Sequence, residues 1–190
     1  MEDFKKTGLL TKLSVKQIED SIIGNANMRE TLFVPNVSWG FFREHEADLV
    51  MLTRAGILTE YEIKRSWSDF IADFKKDSYH ADDRISYLYY YVPEVMADEA
   101  AKYIVPDDES RWKYHAGVVG YDEDGICRVH LACNYPRQKR LYVEDMYEIA
   151  RLGTLRYWAE RKKNERLQRE LEMERTKHDG LDQDKENQEV

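Results

Sequence analysis

The sequence predicts an α/β domain, a mixed sheet of four or more strands with helices on both sides, extended by a long charged C-terminal helix. Three observations carry that expectation. Apolar runs of strand length alternate with stretches of helical spacing in the order helix, edge strand plus hairpin, helix, strand. The 190 residues, 42% hydrophobic and 12% aromatic, suffice for one domain with a substantial core. After an apolar stretch with Met146, Ile149, Ala150, Leu152, Leu155, Tyr157 and Trp158 that offers surface to dock, residues 160–177 turn to charged residues paired at i, i+4 spacing. These divide the chain into a domain over 1–140, a helical extension over 141–178 and a disordered acidic tail over 179–190.

Each element has its own signal. Ser14 caps a helix running to about Ile23, with Ile18, Ile22 and Ile23 as its apolar stripe. Met28 to Phe33 reads as a turn of helix before a strand over Val34–Phe42. Pro35 places that strand at a sheet edge or at a strand's start, and Trp39, Phe41 and Phe42 supply core. Asp48 opens an apolar run to Leu52, a turn follows at Arg54-Ala55-Gly56, and a second run carries Glu60, Glu62 and Lys64. Ser66 caps a helix to about Lys76 whose buried stripe is Trp67, Phe70, Ile71 and Phe74. Ile85 to Val92 is a tyrosine-rich central strand stopped by Pro93. A short helix over Glu94–Tyr103 and a polar loop over Pro106–Ser110 follow. His115–Tyr121 and Ile126–Ala132 form a second hairpin about Asp122-Glu123-Asp124-Gly125, a turn that lacks the spacing of a calcium loop. Glu144 to Lys177 is one helix or two. Leu167 and Leu171 are too few for a coiled coil, so its end projects into solvent or pairs with a partner helix.

Composition sets limits on function. The formal charge is -8, from 29 Lys and Arg against 37 Asp and Glu, and half of that excess lies in residues 179–190. The chain as a whole therefore exerts no strong pull on nucleic acid, and any attraction must be local. No stretch is long and apolar enough for a bilayer, and the N-terminus lacks a secretion signal, so a cytoplasmic protein with no membrane partner is expected. Cys127 and Cys133 fit neither a C-x-x-C nor a zinc spacing and are expected as reduced thiols.

The first hairpin carries the chemistry. Strand residues two apart face the same way, which groups Glu46 with Asp48 and Glu60 with Glu62 and Lys64; antiparallel pairing then brings the two groups together. Crowded carboxylates repel and are costly to desolvate, so such a pocket calls for a counter-charge, and a divalent cation with oxygen ligands supplies it. Lys64 would orient an attacking water or help deprotonate it, or stabilise charge on a phosphate. The other reading of alternating charges is a solvated sheet face. The apolar run Leu49 to Leu52 argues against it, because it reads as a strand covered on both sides.

Asp48 followed fourteen residues later by Glu62-Ile63-Lys64 across a hairpin, and then by a helix, resembles the core of the PD-(D/E)-x-K nuclease superfamily. The longer string is more specific: Val34-Pro35-Asn36-Val37-Ser38-Trp39, His45-Glu46-Ala47-Asp48-Leu49, Glu60-x-Glu62-Ile63-Lys64, Ser66-x-Ser68-Asp69-Phe70 and Asp73-Phe74-Lys75-Lys76. Over about residues 15 to 135 it resembles small bacterial and phage proteins that include the MmcB-like DNA repair group. Ala47 stands where the motif's proline would be.

The resemblance implies a restriction-endonuclease-like fold and hydrolysis of nucleic-acid phosphodiesters, of DNA, with Mg²⁺ or Mn²⁺, in DNA repair or phage and mobile-element DNA processing. Asp48, Glu62 and the Ile63 carbonyl are then the metal ligands and Lys64 the catalytic lysine. Glu46 and Glu19 are further catalytic candidates, Glu19 by its place on the helix before the sheet, where it reads equally as a surface charge. Glu60 ranks with Glu46, and Ser66 and Asp69 support the site. Candidate nucleic-acid contacts are Ser66, Lys75, Lys76, His80, Arg137, Lys139 and Arg140. The lysines after the helix also fit its dipole, and the Arg137–Arg140 patch also fits a solvated linker. Two further classes stay open, a non-catalytic nucleic-acid binder on a nuclease fold and an adaptor that binds a partner or itself through the C-terminal helix.

Overall fold

The computed structural model describes residues 4–6, 8–38, 41–42, 45–76, 82–105, 115–134 and 139–186. Trp39, His80, the loop at 106–110, Tyr135 and Arg137 lie outside them. A 3-10 turn over Phe4–Lys6 leads to α1 (Val15–Gly24), β1 (Thr31–Val37), β2 (Ala47–Thr53), β3 (Leu58–Ile63), α2 (Trp67–Asp73), β4 (Tyr87–Pro93), α3 (Glu94–Ile104), β5 (Gly117–Tyr121), β6 (Cys127–Leu131) and α4 (Val143–Glu186). The strands form one six-stranded mixed sheet in chain order. Neighbours are antiparallel from β1 to β3, parallel from β3 to β5 and antiparallel again at β6. The two parallel steps are the two that a helix connects, α2 and α3, as a crossover requires.

Local chemistry accounts for most boundaries. Ser14 caps α1 with a reciprocal pair, its Oγ accepting from the Gln17 amide and the Gln17 Oε1 accepting from the Ser14 amide at 2.9 Å. Residues 28–30 form the expected turn, the Glu30 amide donating to the Asn27 carbonyl, but 31–33 depart from expectation: Thr31 to Phe33 pair with Met51 to Thr53, so cross-strand bonds replace a helical turn there. Pro35 is tolerated because β1 is an edge. Asn36 sits at φ +51 between the paired Pro35 and Val37. The strand ends at Val37, and the amides of Phe41 and Phe42 turn back to the Ser38 carbonyl while both rings are buried. α2 stops at Asp73, short of Lys76.

The core has three parts. Ile18 and Ile22 of α1 cover Leu49, Tyr61, Ile63, Tyr91 and Val119. Phe70 of α2 and Met96, Ala97, Ala100 and Ile104 of α3 cover Leu88, Tyr90, Val92 and Val118. Val34, Val50, Leu52 and Leu58 pack with Phe41, Phe42, Leu141 and Ile149. Because Leu141 and Ile149 are buried there, the first compact unit extends to Leu152 rather than ending at residue 140; the second is Gly153–Val190. α4 is a single helix that continues past His178 to Glu186, and no proline follows residue 136 to interrupt it. Among the described residues no helix is long and apolar enough to cross a membrane.

Candidate active site

The β2–β3 register pairs Val50 with Glu60 and Leu49 with Tyr61, which brings Asp48 opposite Glu62 one step further along. Asp48 Oδ2 accepts the Ile63 amide at 2.7 Å, so the acid is fixed against the end of β3. Lys64 follows β3 directly, and its amide donates to the Tyr91 carbonyl at 2.9 Å. Its Nζ lies 2.7 Å from Glu62 Oε2 and 3.5 Å from Asp73 Oδ1. Asp73 arrives from α2: with Ser66 as cap, positions 70 and 73 fall on the buried face of the helix. The Tyr90 hydroxyl donates to Asp73 Oδ2 at 2.9 Å, and Lys76 also pairs with Asp73. Glu62, Lys64 and Asp73 are 2%, 6% and 1% exposed, so this is a buried cluster of charge and not a solvated sheet face.

Burial raises the Asp48 carboxyl above its ordinary range, with Asp69 and Asp73 adding to the effect; the Ile63 amide and Lys64 oppose it. Glu19 on α1 is likewise raised, by burial first and then by Asp48 and Asp20, which ties it electrostatically to the Asp48 corner. Burial disfavours the Lys64 ammonium, but Glu62 and Asp73 outweigh burial and hold it well above the usual lysine value. Lys64 is therefore charged at neutral pH.

The remaining candidates separate. Glu60 is fully buried and committed to His45, whose Nε2 is 3.1 Å from Glu60 Oε1 and whose ring stacks on Phe42 at 4.4 Å. Glu46 is exposed just before β2 and takes no part in the contacts joining Asp48, Glu62, Lys64 and Asp73. Ile63 gives its amide to Asp48. Ser66 is buried and occupied as the α2 cap, accepting the Asp69 amide at 3.2 Å. Of the basic candidates, Lys76 reaches the cluster through Asp73 and Lys75 is exposed beside it. Lys139 and Arg140 are not brought to this site. The Lys139 carbonyl accepts from Ser86 and the Leu141 amide donates to Gly56, at the opposite ends of β4 and β3. The five-residue rise from Leu58 to Ile63 puts them about 17 Å away, and Lys139 pairs with Asp83 at 2.5 Å.

Asp73 and Tyr90 are the members that the sequence reading does not place in the site. The signal for Asp73 was an acid three residues after Phe70 on the helix's apolar stripe, a place where a charge must find a partner. Tyr90 had no such signal, since a tyrosine in a central strand reads as core.

Among the described residues no three His, Cys, Asp or Glu side chains converge as a ready metal cage. Mg²⁺ and Mn²⁺ do not require one, because one or two carboxylates and several waters hold them. Asp48 and Glu62, all-oxygen donors on adjacent strands, fit that demand, and the desolvated acids around them fit the need for a cation.

Fold and cluster together define an α/β protein with a buried acid and lysine site at the C-terminal end of a central strand. No family model matches the chain, and no curated protein matches it. Among solved structures the chain is similar to a protein of unknown function from Silicibacter pomeroyi, with a TM-score of 0.54 and 15% identity over 80% of this chain and 91% of that one. The likeness is one of fold.

Proposed function

We propose that this chain is a Mg²⁺- or Mn²⁺-dependent nuclease of restriction-endonuclease-like fold that hydrolyses phosphodiester bonds of nucleic acid, foremost DNA. The observation that carries the reading is the set in which half-buried Asp48 faces buried Glu62 across β2 and β3 and Lys64 Nζ stands 2.7 Å from Glu62. The order of one helix, three antiparallel strands, a crossover helix and a parallel strand supports it, as does the position of E-x-K at the end of β3. DNA repair or phage DNA processing in the cytoplasm is in keeping with the resemblance described above.

Asp48, Glu62 and Ile63 would hold the cation, which when bound offsets their repulsion, activates water and neutralises charge on the phosphate. Asp48 is oriented by the Ile63 amide, and Glu19 adds a second carboxylate to that corner. Lys64 acts as a charged donor to a phosphate oxygen or to the attacking water; while Glu62 and Asp73 keep it protonated it is not the base. Asp73, fixed by Tyr90, positions the ammonium. A second reading, a non-catalytic nucleic-acid binder or adaptor, draws on the depth of the Glu62 and Lys64 side chains, 3% and 8% exposed, which also suits a purely structural ion pair.

The test is cleavage of single-stranded, double-stranded, branched and nicked DNA with Mg²⁺, Mn²⁺ or chelator, by wild type, Lys64→Ala and Asp48→Ala. Cutting that needs metal and vanishes in both variants supports the nuclease. Metal binding lost in Asp48→Ala without any cutting favours the binder, and neither cutting nor metal binding defeats the nuclease reading.

A further inference from the structure

The second compact unit separates its charges along the chain. Residues 153–169 carry six Lys and Arg against two Glu, a net of +4 inside a chain of -8, while residues 170–190 carry three Lys and Arg against eight acids. The basic half is also ordered by face. At 100° per residue, Leu155, Trp158, Lys162, Arg166 and Arg169 fall within a sector of about 80°, one side chain per turn, and all are exposed. Trp158 is 48% and Leu155 is 53% exposed. Leu167 and Leu171 lie roughly 180° and 220° from Trp158, so no continuous apolar seam runs along this half, and the face is wrong for a coiled coil.

We propose that this face of α4 is a docking surface for the phosphodiester backbone of nucleic acid. It deepens the nuclease reading, on which it rests, by assigning the residues that hold the substrate. The cations span about 10 Å from Lys162 to Arg169, with Trp158 as a stacking or packing platform at one end. Glu165 and Glu170 border the sector and pair with Arg161 at 3.1 Å, Arg166 at 3.6 Å and Arg169 at 3.9 Å. These are exposed pairs of little energy, which a phosphate can replace. Lys162 and Lys163 take no part in them. In an acidic chain, local concentration of cations beside an aromatic is what backbone binding requires.

The experiment uses the full chain with Lys162→Gln, Arg166→Gln and Arg169→Gln together, since Gln keeps the helix propensity of Lys and Arg. Binding to a fluorescein-labelled 30-base-pair DNA duplex is followed by anisotropy in EDTA across a KCl series. The inference expects affinity at low salt to drop more than tenfold and the slope of log K against log salt to fall by about 0.9 for each lost phosphate contact, with helical circular dichroism unchanged. Unchanged affinity and slope, or no binding by wild type, overturns it. Equally, a wild-type dimer that the triple variant splits without altering DNA affinity assigns the face to a second copy and overturns it. Wild type that cuts nothing while the triple variant loses binding refutes the nuclease alone; cutting with undiminished binding by the triple variant refutes the docking face alone.

Discussion

Lys64→Met is the most demanding test of the site's electrostatics, because it removes the amine 2.7 Å from Glu62 and 3.5 Å from Asp73 while nearly preserving volume. Glu62 is 2% exposed, so water cannot take over there, while Asp73 keeps Lys76 and the Tyr90 hydroxyl. Deleting one partner of a buried pair costs about 3–5 kcal/mol, against a total stability on the order of 5–15 kcal/mol. For a unit of this size that lowers Tm by about 10 °C. The loss depends on pH with a defined sign. A buried carboxylate deprived of its cation binds a proton more readily in the native state than in the unfolded chain, so native stability rises as pH falls. The deficit relative to wild type is therefore larger at pH 8 than at pH 5, while in wild type the raised Lys64 stays charged across that range. Mg²⁺ at 10 mM should raise the Tm of both forms by binding the native state. Thermal and urea unfolding at pH 5 and pH 8, with and without Mg²⁺, measure all three quantities. A variant within 1 kcal/mol of wild type at both pH values would refute the claim that Lys64 is the counter-charge.

Other consequences can be checked alongside. Asp48→Asn should abolish metal-dependent cutting yet stabilise the fold by about 1 kcal/mol at pH 7, because the raised carboxyl weakens the native state once ionised; the gain should vanish as pH falls below 3.8, which a pH series of melts reads directly. Tyr90→Phe removes the bond to Asp73 and should cost about 1.5–3 kcal/mol in urea unfolding, with a smaller loss of cutting than Lys64→Ala. Gly117→Ala should cost about 1–3 kcal/mol, since its Cβ would lie 2.8 Å from the Cys133 amide and against the Tyr89 ring; wild-type stability in that variant would show that the start of β5 yields.

Much of the site was legible in the chain because its signals are local. Alternation puts Glu60, Glu62 and Lys64 on one side of a strand, a hairpin brings Asp48 across from them, and Ser66 marks where the next helix must start. The same alternation could not separate Glu60 from Glu62, which look equivalent in sequence. His45 decides between them by arriving from outside the strand and claiming Glu60. Thr31 to Phe33 misled for a similar reason, since pairing with Met51 to Thr53 overrides local preference.

The sequence by itself determined the class of architecture, the caps, the apolar faces and the acid and lysine triad, all of which follow from spacing along one strand or helix. Only the tertiary structure decided that Asp73 and Tyr90 complete the cluster. It also showed that Lys139 and Arg140 sit at the far end of the sheet and that Leu141 belongs to the core. Each of those outcomes depends on which element packs beside which, and no period within a single segment carries that information.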